Sequence, residues 1–180
     1  MFALGKVSRL LFVPCKTFEK KFAMQKSIQL ITGLLLVLVT GVFWGTWFSL
    51  SRTMFELSPE IFITIGKEII RNVALPMSII MPASIIGLLV LVIRSWRTKS
   101  VYFYCMLLAF ILFVIALVIT VGIEVPIDNK IKTWTVASIP SDWQNIRDKW
   151  EVYHTFRTFV SLAGVAFFIT TIMNRKQPVN

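Results

Sequence analysis

Charge is scarce in this chain of 180 residues: Asp, Glu, Lys and Arg make up 16% of it, where a soluble domain carries about 25%. Acids are scarcer than bases, 9 against 19, and four long windows hold neither. One His and two Cys complete the short list of strong ligands, and no Cys-x-x-Cys pair occurs. Each shortage excludes something. Low charge beside 56% hydrophobic residues excludes a water-solvated globule and a disordered coil, neither of which can carry that much apolar surface. One His with two distant Cys, Cys15 and Cys105, cannot ligate zinc, copper or a bis-His haem. Without a dithiol motif the chain is no disulfide oxidase, and without cysteines in its long connections it has no stapled external domain. Glycine-rich nucleotide loops and serine nucleophile elbows are also missing. Acid-free windows leave no place for a carboxylate-rich iron site.

What is present suits a bilayer. The charge-free windows run over 27–51, 72–93 and 100–123, with a fourth between Arg157 and Arg175. A hydrocarbon core about 30 Å thick needs about 20 helical residues, and unbroken runs such as Leu34 to Val39 show no strand-like alternation. The first three windows are long enough. The fourth has 17 uncharged residues, about one turn short, so its helix begins near His154 and spans about 154–173. The expected fold is an all-α membrane protein, a four-transmembrane-helix bundle in residues 27–180. A basic interfacial segment, 1–26, precedes it, and a structured connection of 124–153 leads into the last span.

The formal charge of +10 partitions unevenly. It amounts to +5 before the first span, +3 in the 94–99 turn and +2 in the tail, and to zero over 52–71 and over 124–157. Basic residues beside spans stay in the cytoplasm, so both termini are expected inside and both long connections outside. The basic excess is explained by topology and anionic headgroups, so no nucleic-acid partner is expected. Gly41, Gly45 and Ser49 recur every fourth residue, a small-residue face suited to close helix approach within the bundle or between copies. Trp44 and Trp47 at one end, and Trp96, Tyr102 and Tyr104 at the other, fit the aromatic belts of the two interfaces. Pro82 lies inside the second window, where it should kink the helix and make room beside it.

The third connection is unlike a spacer, because it holds Trp134, Trp143 and Trp150 and ends at the only His. Trp143, Arg147, Trp150, His154 and Arg157 step by four, three, four and three, which puts all five on one helical stripe. Ser161 and Gly164 extend the stripe into the last span. An Arg carried about a turn into hydrocarbon points to an intramembrane site.

The order Val125-Pro126-Ile127-Asp128-Asn129-Lys130, then Trp134, Pro140-Ser141-Asp142-Trp143, Arg147, Trp150, His154 and Arg157 resembles the last connection and last helix of the anthrone oxygenase-like family of small four-span membrane proteins. The resemblance implies a four-helix bundle in a bacterial plasma membrane. It also implies oxidation of a lipophilic aromatic substrate by O₂ without metal or other cofactor, at an outward-facing site. In that reading His154 is the base and Arg157 stabilises developing negative charge. Trp143 and Trp150 offer flat faces to an aromatic ring, Asn129 bonds a carbonyl, and Arg147 belongs to the same binding set. Two other classes stay open: a non-catalytic lipophile binder and a structural subunit.

The charge partition predicts a labelling pattern. In intact cells Ser141→Cys should react with an impermeant maleimide and Ser8→Cys should not; labelling of Ser8→Cys from outside would reverse the topology.

Overall fold

The computed structural model describes residues 15–51 and 53–173; the amphipathic stretch before Pro14 lies outside the described residues. Helix α1 is Cys15–Thr46, α2 is Pro59–Ser95, α3 is Val101–Ile119, α4 is Val125–Thr133 and α5 is Trp143–Met173. A π-helical turn over Thr120–Glu124 joins α3 to α4 without a break, so they form one rod. Four rods result, all long and apolar enough to cross a bilayer. Around the bundle α1 packs on α2 and α5, and α3 packs on the same two.

Each rod exceeds its charge-free window. The third continues ten residues past Ile123 and the last starts at Trp143, eleven before His154. The connection expected over 124–153 is therefore mostly helix, and its irregular part is confined to 134–142. Charge marks where a helix leaves hydrocarbon, not where it ends, because in water a helix can carry charged residues as long as one face is packed. Pro59 opens α2, where a missing N–H costs nothing. Pro76 and Pro82 sit inside an uninterrupted α2, and Pro82 has no N–H to give to the Ser78 carbonyl.

Two apolar clusters hold the rods together. The larger lies among the spans and includes Leu36, Met81, Leu88, Met106, Phe113 and Phe168. The smaller caps the end with the two long connections and joins Met54, Phe62, Ile127, Ile131, Trp134 and Trp143. Polar ties reinforce both: Gln29 Nε2 donates to Tyr102 Oη at 2.8 Å, Trp47 Nε1 to Thr155 Oγ1 at 2.9 Å, and Lys67 Nζ to the Trp134 carbonyl at 2.5 Å.

The helices touch most closely at small residues, but not at the expected ones. Gly41, Gly45 and Ser49 are exposed, and a Cβ at Gly41 or Gly45 would meet nothing within 4 Å. That face points away from this bundle. The intimate contacts are Gly33 on Phe168, Gly87 on Thr32 and Gly164 on Phe113. At Gly164 a Cβ would come within 2.8 Å of the Phe113 ring, which is fully buried and cannot retreat.

Gly164→Val should therefore lower stability in detergent by about 1–3 kcal/mol, the usual cost of overpacking, and Gly41→Val should leave it unchanged. Thermal unfolding of the two variants side by side tests this; equal midpoints would refute the assignment of the close contacts.

Candidate functional site

The expected stripe on α5 is buried along its length: Trp143, Arg147, His154, Arg157, Thr158, Ser161 and Gly164 all turn inward. Burying a guanidinium needs a counter-charge and full hydrogen bonding. Arg157 finds both on the third rod. It forms an ion pair with Glu124, and its Nη1 donates to Thr120 Oγ1 at 3.0 Å. Its Nη2 also donates to His154 Nδ1 at 2.9 Å. Its guanidinium carbon lies 4.2 Å from the centre of the Phe43 ring on α1, adding a cation–π contact in a desolvated setting.

His154, 1% exposed, is held from every side. Its ring stacks on Trp150 with centroids 4.5 Å apart and an interplanar angle of 7°, and meets the edge of Phe43. Since an arginine can only donate, Nδ1 must accept, which assigns the remaining proton of the neutral imidazole to Nε2. Nε2 has no hydrogen bond of good geometry, with the Phe43 backbone beside the ring. Glu124 Oε1 lies 3.8 Å from Nδ1. The Trp150 side chain lies beside the Asp128 carboxylate. His154, Arg157, Glu124 and Thr120 are one connected polar network crossing from α5 to the third rod, with Trp150 stacked on the imidazole.

Glu124 is the residue that sequence reasoning missed, along with Asp128 and Thr120. The acid-free interior inferred from the windows is corrected here, because Glu124 is 1% exposed. Its burial comes from the π turn. Buried positions on α3 step by three or four through Ala116 and Ile119, and then five residues separate Ile119 from Glu124. The extra residue of a π turn re-aims one side chain, a device found at functional sites. A plain α-helical stripe would have turned Ile123 inward instead. Even so, no three of the His, Cys, Asp and Glu among the described residues come together as a metal-ligand group.

Beside this network is a cavity of about 440 Å³, mostly apolar, bounded by all four rods. His154, Arg157, Trp150 and Asn129 line it, as do Asp128 and Thr120. Trp143 and Arg147 do not. They belong to the cap: Trp143 packs on Phe62 with ring centroids 5.3 Å apart, and Arg147 lies over the Phe55 and Trp143 rings while pairing with Asp148 at 2.8 Å. Four of the six residues expected at a ligand thus share one wall, and the other two hold down the cap above it.

A sequence model of a family described as anthrone oxygenase matches residues 69–167, more than half the chain. No curated protein and no solved structure matches it. The matched stretch contains every member of the polar network.

The ion pair yields a stability prediction. Glu124→Ala strands a buried guanidinium and should cost about 3–5 kcal/mol, whereas removing both charges as Glu124→Leu/Arg157→Met should cost much less than the two single losses added together. Additive losses in a double-mutant cycle of detergent unfolding would show that the two groups are not coupled.

Proposed function

The chain belongs to the anthrone oxygenase family, and from that membership we propose that it oxidises a lipophilic aromatic substrate of anthrone type with O₂, needing no metal or organic cofactor. One observation carries the proposal: His154 and Arg157, tied to the buried Glu124 behind them, form one wall of a mostly apolar cavity. The cavity's volume falls within the range of about 300–1,000 Å³ typical of small-molecule sites.

An anthrone-like ketone has a CH₂ carbon flanked by two rings, and loss of one proton gives an anion delocalised onto the carbonyl oxygen. That anion is itself the reductant of O₂. One oxygen atom becomes the new ketone at that carbon, the other leaves as water, and both hydrogens of the CH₂ end in that water. The residues here would supply acid–base and electrostatic help only. Arg157 Nη2 can pass its hydrogen bond from His154 Nδ1 to the substrate oxyanion, and the same exchange frees the Nδ1 lone pair to take the carbon-bound proton. Glu124, close to Nδ1, would offset the positive charge that then forms on the imidazole. Trp150 contributes to the wall against which the rings lie, and Asn129 offers a hydrogen bond to a peripheral oxygen. Trp143 and Arg147 would act through the cap, not by touching substrate.

A second reading, a lipophile-binding protein without catalysis, is favoured by one observation: the only base lone pair on His154 is already engaged by Arg157. Under either reading the chain sits in a plasma membrane with its termini inside and the capped end outside.

With anthrone as substrate, purified protein should consume O₂ and should keep doing so after chelation. His154→Ala should lower turnover by about 10²–10⁴, the usual contribution of a general base, while anthrone still protects the variant against heat. Protection without oxidation in the native chain would leave the binding-protein reading standing; neither effect would remove both.

A further inference from the structure

The cavity is closed at two ends and open at one side. Above it lies the cap, where Trp134 and Trp143 are buried and Gly66 packs against Ile131. Below it lies the main core, where Leu88, Leu91, Met106 and Ala109 are fully buried. Between these ends, the lining residues that are themselves exposed fall on two facing stripes. On α2 they are Ala74, Ser78 and Pro82; on the third rod they are Val121, Val125 and Asn129, with Lys132 at the outer end of that edge. Each set of three is spaced by four, one edge of a helix. The α2 edge carries only small side chains or a proline ring, so little fills the gap between the rods. Ala74, Ser78, Pro82 and Val121 all lie within the charge-free windows 72–93 and 100–123. The inner part of the opening therefore faces hydrocarbon, and Val125, Asn129 and Lys132 carry its edge on toward the interface.

We propose that the cavity is loaded sideways from the bilayer, through a slot between the Ala74–Ser78–Pro82 edge of α2 and the Val121–Val125–Asn129 edge of the third rod. This rests on the reading of the cavity as a ligand site and narrows its ligand to a membrane-dissolved, planar aromatic ketone. Such a molecule enters edge-on, carbonyl oxygen first. Its apolar rings match an opening lined by alanine, valine and proline, and its oxygen meets the Arg157 guanidinium inside. The packed cap covers the end of the cavity nearest the water, which leaves the slot as the route.

The test uses the full chain in phosphatidylcholine vesicles, with anthraquinone dissolved in the bilayer as the probe and quenching of Trp150 emission as the readout, defined by its loss in Trp150→Phe. Ala74→Phe/Ser78→Phe should slow the onset of quenching by about tenfold or more, as expected when binding must wait for a conformational change. Ile79→Phe, on the lipid face outside the slot, should not. In case the double variant folds poorly, Ser78→Cys in a Cys15→Ser/Cys105→Ser background can be alkylated with pyrene maleimide after reconstitution, with the same slowing expected. A sulfonated anthraquinone added to the water should not quench Trp150. Wild-type rates in both blocked proteins, or equally fast quenching by the sulfonated probe, would overturn the sideways route alone. No quenching by anthraquinone in the native chain would overturn the ligand-cavity reading and the route together.

Discussion

The ion pair between Glu124 and Arg157 is the constraint around which the rest of the site is arranged. A guanidinium on a transmembrane helix is costly by itself, and here the cost is offset by a carboxylate on another rod, a threonine hydroxyl, an imidazole nitrogen and an aromatic face. Those partners come from α1, the third rod and α5, so satisfying one charge fixes the relative height and rotation of three of the four helices. The imidazole is then fixed in tautomer by the same arginine, and in plane by Trp150. A site so connected has little freedom to be approximately right: any helix shift large enough to break one bond strands a charge in a medium with no water to replace it.

How far the site could be read in advance depends on which helix carried it. On α5 the spacing of Trp143, Arg147, Trp150, His154 and Arg157 repeats the helical period, and all but Trp150 are buried. Trp150 is half-buried against the cavity. On the third rod the same method failed at Glu124. Its inward turn depends on a π turn, a one-residue change in register that leaves no mark in hydropathy. The tempting signal was the spacing Thr120, Glu124, Asp128, three polar residues one turn apart directly after an apolar run. Read as the start of a loop, that pattern seemed to belong outside.

The small residues teach a related lesson. Gly41, Gly45 and Ser49 make the most regular pattern in the chain, yet the bundle uses Gly33, Gly87 and Gly164, which form no repeat. Helices that meet at an angle touch at one level each, so a single glycine per crossing suffices. A periodic stripe requires two helices that stay in contact over several turns.

The cap has a further consequence, because it is built in a different solvent from the rest. Its members lie beyond the charge-free windows, where helices of 31 to 37 residues outrun a hydrocarbon layer that about 20 residues would cross. Burial there is driven by release of water, a force that weakens on cooling and in urea. The core among the spans gains nothing from water release and depends on close packing and buried polar bonds. One chain therefore holds two cores with different thermodynamic signatures. The heat-capacity change of unfolding belongs mainly to the cap, so chilling loosens the roof of the cavity before it disturbs the walls.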